Sequence, residues 1–547
     1  MAAVTTAVLP TSWPSWRLYI VVFVASACSL VLEIAAGRLL APEIGVSLYT
    51  WTSIIGVVLA GLSVGNYLGG RLADRFPAPS TLGLALLAGS LTSFGVLALL
   101  PILIDTLRYL PLVPRVLATN VGLFFLPSCL LGMVTPLAIK QALTDLRTAG
   151  GIVGRLYAIS TAGSILGVYL TGFVLVAMLG ARTVVLLVGI VLLMLALLFG
   201  RLRQSIALTV ILLVPTLVVV GHTLRSRLWQ SPCLTETHYY CIQVNEQNVG
   251  LLGPVMELQL DHLIHSYTAI GDPDLLRYAY TQIFAETARY VAQSHPDLRA
   301  LFIGGGGYTV PLHLEAKYPE AAIDVIEIDP GVTAVSHEWM GLSPDTRIVT
   351  YNEDARIAVQ RLQEGRYDLI FGDAFNDASV PYHLTTREFG QQLRSLLTDD
   401  GIYLANVIDR VYSGHFLRSY LRTMQSLFPH VYLLAREDAV ETMADWPHGT
   451  YVATHPGDRD TFVVAASQQP IDFTQFRSHR TGSPAIATHV TGAGDQLRWE
   501  AGGPRALLTD DYAPVETLLA SLFTGDEEQW DWRSMIPPRL RPLLFGT

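Results

Sequence analysis

Three acids and a run of four glycines carry the chemistry available to this sequence. Residues 301–329 read LFIGGGGYTVPLHLEAKYPEAAIDVIEID. A short apolar run leads directly into Gly304, Gly305, Gly306 and Gly307. Glycines have no Cβ to keep a ligand away from the backbone. The helical pattern that follows would aim its first amides at that ligand. Glu327 ends the next apolar run, 23 positions after Gly304. An acid about 20 residues beyond such a loop can accept hydrogen bonds from both hydroxyls of a ribose. Asp354 and Asp373 follow the next two apolar runs. Any one of these acids alone would more often be a helix cap or a solvated loop residue. Together, at successive strand ends, they point to a crevice for a nucleoside-type ligand.

The elements that must position these acids alternate. Strands are expected at 301–303, 322–328, 347–351, 368–372 and 402–407, with helices at 310–318, 356–362, 387–397 and 416–428 between them. Runs at 431–434 and 462–466 would close the sheet. Strands alternating with helices imply a parallel, doubly wound, Rossmann-like sheet of the class I methyltransferase type. Ligands in such folds sit beyond the carboxyl ends of the strands. Upstream, 239–244 and 255–260 read as strands of a small β unit, and 275–292 as a helix.

The front of the chain obeys different physics. Of 547 residues, 51% are hydrophobic and 15% charged, and the apolar excess lies before about residue 222. Apolar runs near 18–40, 51–70, 82–104, 117–138, 156–179, 183–199 and 206–221 each approach the roughly 20 residues that cross a bilayer. The first is too long for a signal-peptide core. The expectation is a multi-pass cell-membrane protein with seven spans and the lipid bilayer as a partner. Gly61, Gly65 and Gly69 recur at every fourth position, as do Gly163 and Gly167, so these faces serve helix packing within the bundle or a homodimer. Glu33 lies inside the first span with Arg38 nearby, either as a functional acid or as half of an interhelical pair.

Arg71, Arg75, Lys140, Arg147, Arg155, Arg201 and Arg203 fall in loops on one side, which the positive-inside rule makes cytoplasmic. Seven spans then place the remainder outside the cytoplasm, and one miscounted span reverses that answer. The net charge of −10, with no Lys/Arg-rich run, argues against nucleic acid as a partner. Cys28 and Cys129 sit in apolar segments, whereas Cys233 and Cys241 could form a disulfide in an oxidising compartment. No metal site is expected, because His262 and His265 in DHLIH lack companion ligands.

The glycine loop and acids resemble the spermidine/spermine synthase family, the polyamine aminopropyltransferases, from about residue 239 to 407. IGGGGY resembles the family's IGGGDG, VIEID its VEID, EDA its GDA, and DLIFGDA the strand ending in its catalytic Asp. LQLDHLIHS looks like LxLDGxxQS, with His265 where the family has Gln. The layout, including DAFND and SVPYHLT, looks like bacterial membrane-fused spermidine synthase-like proteins. The resemblance implies decarboxylated S-adenosylmethionine as co-substrate and a small-molecule amine as acceptor. It makes Glu327 the ribose acceptor and Asp354, beside Ala355, the adenine acceptor. It makes Asp373 the base and Tyr280 (with Tyr278 competing for the position) the substrate-side tyrosine. Asp377, Asp510 and Asp511 could hold the distal ammonium, and Tyr382 and His383 line the opening or lie on the surface.

Three departures blur the amine site: Gly307 replaces the family's Asp, Asn376 replaces its second catalytic-loop Asp, and His265 lacks the Gln amide. Three functions follow. The first is aminopropyl transfer. The second is a methyltransferase-like reaction of S-adenosylmethionine, favoured by Gly307. The third is a non-catalytic polyamine or nucleoside sensor or transporter. The domains are expected at 1–222 (membrane), 223–292 (linker and small β unit), 293–470 (Rossmann-like) and 471–547 (a C-terminal segment packing on the catalytic domain).

Overall fold

A computed structural model describes residues 15–143, 145–248, 254–374, 380–410, 414–435, 459–479, 481, 489–490 and 505–520. Contacts divide the chain into two compact units, Met1–Cys241 and Ile242–Thr547.

The first unit holds seven helices that are long and apolar enough to cross a membrane: Trp16–Ile44, Leu48–Arg75, Pro79–Leu107, Leu112–Ala142, Ala149–Leu179, Ala181–Phe199 and Leu202–Arg225. Each contains one of the expected apolar runs and extends past it, because the helical hydrogen bonds continue into the polar ends. The glycine faces are seams within this unit. A Cβ on Gly65 would stand 2.0 Å from the carbonyl oxygen of Cys129, and one on Gly163 2.1 Å from that of Phe23. Only glycine lets those backbones approach so closely. Lys140 pairs with Asp74 at 2.7 Å, so the ends of the second and fourth of these helices share one end of the bundle. Arg182 pairs with Glu43 at 3.1 Å at the other end. Arg38 turns to the carbonyls of Tyr239 (2.6 Å) and Thr237 (2.8 Å). Cys233 and Cys241 are joined by a disulfide.

The second unit opens with an antiparallel meander of β1 (Cys241–Asn248), β2 (Pro254–Leu260) and β3 (Leu263–Ala269). Sequence reasoning missed β3. Its polar His265, Ser266 and Thr268 hide the alternation, and Asp261, with φ of 52°, makes the tight turn before it. Helix α1 (Ala279–Val291) follows.

The large sheet then forms from β4 (Arg299–Ile303), β5 (Ala322–Ile326), β6 (Val349–Tyr351), β7 (Tyr367–Gly372), β8 (Leu397–Arg410), β9 (His430–Ala435), β10 (Arg459–Ser467) and β11 (His489–Val490). Its spatial order is β11-β9-β10-β8-β7-β4-β5-β6. The helices α2 (Thr309–Lys317), α3 (Pro330–Trp339), α4 (Ala355–Ala358), α5 (Arg387–Leu396) and α6 (His415–Gln425) alternate with the strands.

The expected parallel, doubly wound sheet is present, and an antiparallel part joins it. Strands β4 to β8 pair in parallel, but β10 runs antiparallel to both β8 and β9. The crossover through α6 sets β9 one place too far out to pair with β8, and β10 fills the gap by running back. Leu301, Val325, Leu369, Ile370 and Leu404 are wholly buried, as strands covered on both faces require.

Strand order decides what can meet. The tips of β8, β7, β4 and β5 are consecutive neighbours, and β6 lies at the edge. Asn406, Asp373, Gly304 and Glu327 therefore stand side by side, with Asp354 one strand further out.

Candidate active site

Asp373 follows β7, and its backbone N–H donates to Ile303 at 2.8 Å, which continues the ladder one residue past the strand. Gly304 follows β4 with φ of 99°, and a Cβ there would stand 2.4 Å from the carbonyl oxygen of Asp373. A side chain at 304 would be strained by its backbone and would clash. The glycine loop thus lies directly against the backbone of Asp373.

The Asp373 carboxylate accepts from the amide of Asn406 at 2.8 Å and from the hydroxyl of Tyr280. Burial pushes its pKa up to about 6. The two donors pull against that shift, and the charge of Glu327 adds to it. Burial, and then Asp373 itself, hold the Tyr280 phenol well above its ordinary value, so it serves as a donor. Tyr278, the competing tyrosine, donates instead to the carbonyl of Ile264 at 2.9 Å.

These groups line a cavity of about 250 Å³. Gly304, Gly305, Gly306, His265, Tyr280 and Asp373 all contribute to its wall. Gly307, Glu327, Asp354, Ala355, Asp510 and Asp511 are not among the lining residues, and Asp377 and Asn376 lie outside the described residues.

Glu327 sits behind the glycine loop. One carboxylate oxygen accepts from the amides of Gly305 (2.8 Å) and Gly306 (3.2 Å), and the other from that of Asp329 (3.0 Å). Burial raises its pKa while these amides oppose the shift. The amides of Gly305 and Gly306 are thus taken up by Glu327, and Gly307 donates to the Ser266 hydroxyl at 2.9 Å. A Cβ at Gly307 would meet the Ser266 Cβ at 2.7 Å and the Met340 methyl at 2.9 Å.

Asp354 belongs to a second cluster. One oxygen accepts from the amide of Arg356 at 2.8 Å and caps α4, which buries Ala355; the other is bonded to His383 Nε2 at 3.0 Å. The Arg356 guanidinium reaches the His383 carbonyl (2.7 Å), the Thr386 hydroxyl (2.9 Å) and Asp510. Asp510 and Asp511 are exposed.

Sequence reasoning missed Asn406, Ser266 and Thr309, all of which line the cavity. Only Asn406 left a signal, as a lone amide within the apolar run 402–407. Among the described residues no three His, Cys, Asp or Glu side chains group as metal ligands.

The arrangement sets a buried carboxylate of raised pKa between two neutral donors beside a tight glycine turn. Comparison with known proteins then decides the kinship. Residues 283–437 match the family described as the spermine/spermidine synthase domain. Over that stretch the chain is spermidine synthase-like. A polyamine aminopropyltransferase of Vibrio vulnificus is 35% identical over 137 residues, 25% of this chain and 46% of the relative. An N-terminal histidine N-methyltransferase of Emericella nidulans is 30% identical over 224 residues, 39% of each chain. The chain thus spans less than half the length of either curated relative. The crystal structure of a probable spermidine synthase from Corynebacterium glutamicum shares 20% identity, with a TM-score of 0.42 over 51% of this chain and 95% of its own. The spermidine synthase-like match begins inside α1 and ends just past β9, so it takes in the glycine loop, the three strand-tip acids and Asn406.

Proposed function

We propose that this protein is a membrane-anchored aminopropyltransferase that moves an aminopropyl group from decarboxylated S-adenosylmethionine to a small amine. In this reading residues 1–222 are the membrane domain and 223–292 the linker with its β unit. Residues 293–470 form the catalytic domain, and 471–547 pack on it. The observation that carries the proposal is Asp373, held between Tyr280 and Asn406 in the cavity walled by Gly304–Gly306.

Alkylammonium groups hold their proton near neutral pH, as Lys does with a pKa of about 10.4, and an ammonium has no lone pair to attack with. A carboxylate with a pKa of about 6 is ionised at neutral pH, and its charge attracts the ammonium. As the nitrogen loses its proton to Asp373, its lone pair attacks the methylene carbon bonded to the sulfonium. The C–N bond forms while the C–S bond breaks. Its electron pair returns to sulfur, leaving neutral methylthioadenosine. Alignment of nitrogen, carbon and sulfur supplies the rest of the acceleration. Gly304–Gly307, His265, Glu327, Asp354 and Ala355 hold the donor nucleoside. Asp377, Asp510 and Asp511 serve the distal ammonium of the acceptor.

The bonded Cys233–Cys241 pair supports the charge-rule placement of the second unit outside the cytoplasm, since disulfides persist in oxidising compartments.

One observation favours a second reading. With no room for a side chain at 307, the family's amine-holding Asp has no counterpart there, which suits S-adenosylmethionine as the donor and methyl transfer as the reaction. Incubating the purified protein with each sulfonium donor and a panel of amines separates the two. Methylthioadenosine release supports aminopropyl transfer, and S-adenosylhomocysteine release supports methyl transfer. Binding without either product would sink both and leave a sensor.

A further inference from the structure

The outer cluster holds an acceptor already in use. His383 Nε2 lies 3.0 Å from Asp354 Oδ2, and an ionised carboxylate has no hydrogen to give, so the imidazole donates. The other oxygen of Asp354 is spent on the α4 cap. The pair is reachable from outside, with side-chain exposures of 28% for Asp354 and 36% for His383.

The backbone around the imidazole is fixed. The His383 carbonyl accepts from Arg356 at 2.7 Å, Leu384 N–H donates to Pro381 at 2.9 Å, and Thr385 N–H donates to Tyr382 at 3.0 Å. Arg356 also holds the Thr386 hydroxyl and Asp510, so its position is set from three sides. The imidazole can leave Asp354 only by rotating about its own side-chain bonds. Its ring meets Tyr382 edge-on, with centroids 5.7 Å apart, and both side chains are open to solvent.

We infer that His383 is a specificity-determining latch on the nucleobase position, which a purine must open by offering Asp354 an exocyclic amine in place of the imidazole. The inference rests on the reading of Asp354 as the adenine acceptor. An aminopurine restores the bond it breaks, but in the parent it must first displace the charge-assisted imidazole bond, whereas without the imidazole it displaces only water. For a base with no donor there, the exchange leaves a carboxylate without its partner. A charge-assisted hydrogen bond given up on binding weakens affinity by about tenfold.

The test uses full-length protein in detergent, with 5′-methylthioadenosine as the titrant in calorimetry. His383→Ala is expected to bind it about tenfold more tightly than the parent. His383→Gln, which keeps a donor, should bind within about threefold of the parent. Asp354→Asn should weaken binding and erase the gain from His383→Ala in the double variant. If Asp354→Asn weakens binding but His383→Ala binds no better than the parent, the latch is wrong and the adenine reading stands. If Asp354→Asn leaves affinity unchanged, the adenine reading fails and the latch with it.

Discussion

The two strand-tip acids Asp373 and Asp354 look equivalent in the sequence, yet they occupy opposite kinds of surroundings. Asp373 ends a central strand and meets two neutral donors inside a cavity. Asp354 follows the edge strand and is bound by a backbone amide and an imidazole, within a network that also includes a guanidinium. Neutral donors hold a carboxylate in place without fixing its charge, so Asp373 can take and return a proton. A capping carboxylate already engaged by an imidazole is suited to recognition. In the proposed reading, rank in the sheet, rather than residue type, separates the base from the anchor.

The sharpest way to break this contrast is to neutralise each acid in turn. Asp373→Asn is expected to lower turnover by about 10²- to 10⁴-fold, the usual worth of a general base, while methylthioadenosine affinity holds. Asp354→Asn should lower affinity while turnover at saturating donor changes little. Release assays alongside calorimetry read both, and equal loss of turnover in the two variants would erase the distinction.

Gly304→Ala attacks the inner region through its backbone. The added Cβ would stand 2.4 Å from the Asp373 carbonyl oxygen at a positive φ, so a stability loss of about 3 kcal/mol is expected in thermal melting. Gly307→Asp should also destabilise, by about 2 kcal/mol, through overpacking against Ser266 and Met340. Pairing it with Ser266→Gly should recover part of that loss.

A smaller effect follows from charge. The folded pKa of Asp373, about 6, lies above its ordinary 3.8. Its contribution to stability is therefore full below about pH 4 and is lost as pH rises through 6. At pH 8, Asp373→Asn should melt higher by the equivalent of about 3 kcal/mol, and at pH 4 the two proteins should melt nearly together. The same value sets the acid limb of kcat/KM near pH 6 in the parent. Asn406→Ala removes a donor that favours the ionised form, so the limb should move up by about one pH unit. A limb that stays in place would mean that another group titrates.

Much of the second unit was legible, because buried strands write themselves as apolar runs and the glycine loop marks where the first one ends. The strands around 301–303, 322–326 and 368–372 fall within a residue or two of expectation. The reversed strand β10, between β9 and β8, was not legible, since nothing in residues 459–467 records which neighbours they will find. The cavity was legible in part. Gly304, Asp373 and Tyr280 announce themselves, whereas Ser266 meets Gly307 across 41 positions and leaves no local trace. Asp354 likewise meets His383 across 29 positions. The seven long apolar helices were the plainest reading, because hydrophobic length alone reports them.

The stretch 505–520 lies well past the family match, yet it is sewn into the same core. Leu508, Val515 and Leu519 are buried with the side chains of α5 and α6. Leu508 N–H donates to Thr423, Ala506 N–H to Ser419, and the Leu508 carbonyl receives Arg387 N–H. A chain cut at residue 437 would keep every recognisable motif but uncover the outer faces of two helices and strand Arg356 without its counter-ion. Truncated versions should therefore come out of cells as aggregate, and a working soluble half must carry its tail at least through Ala520.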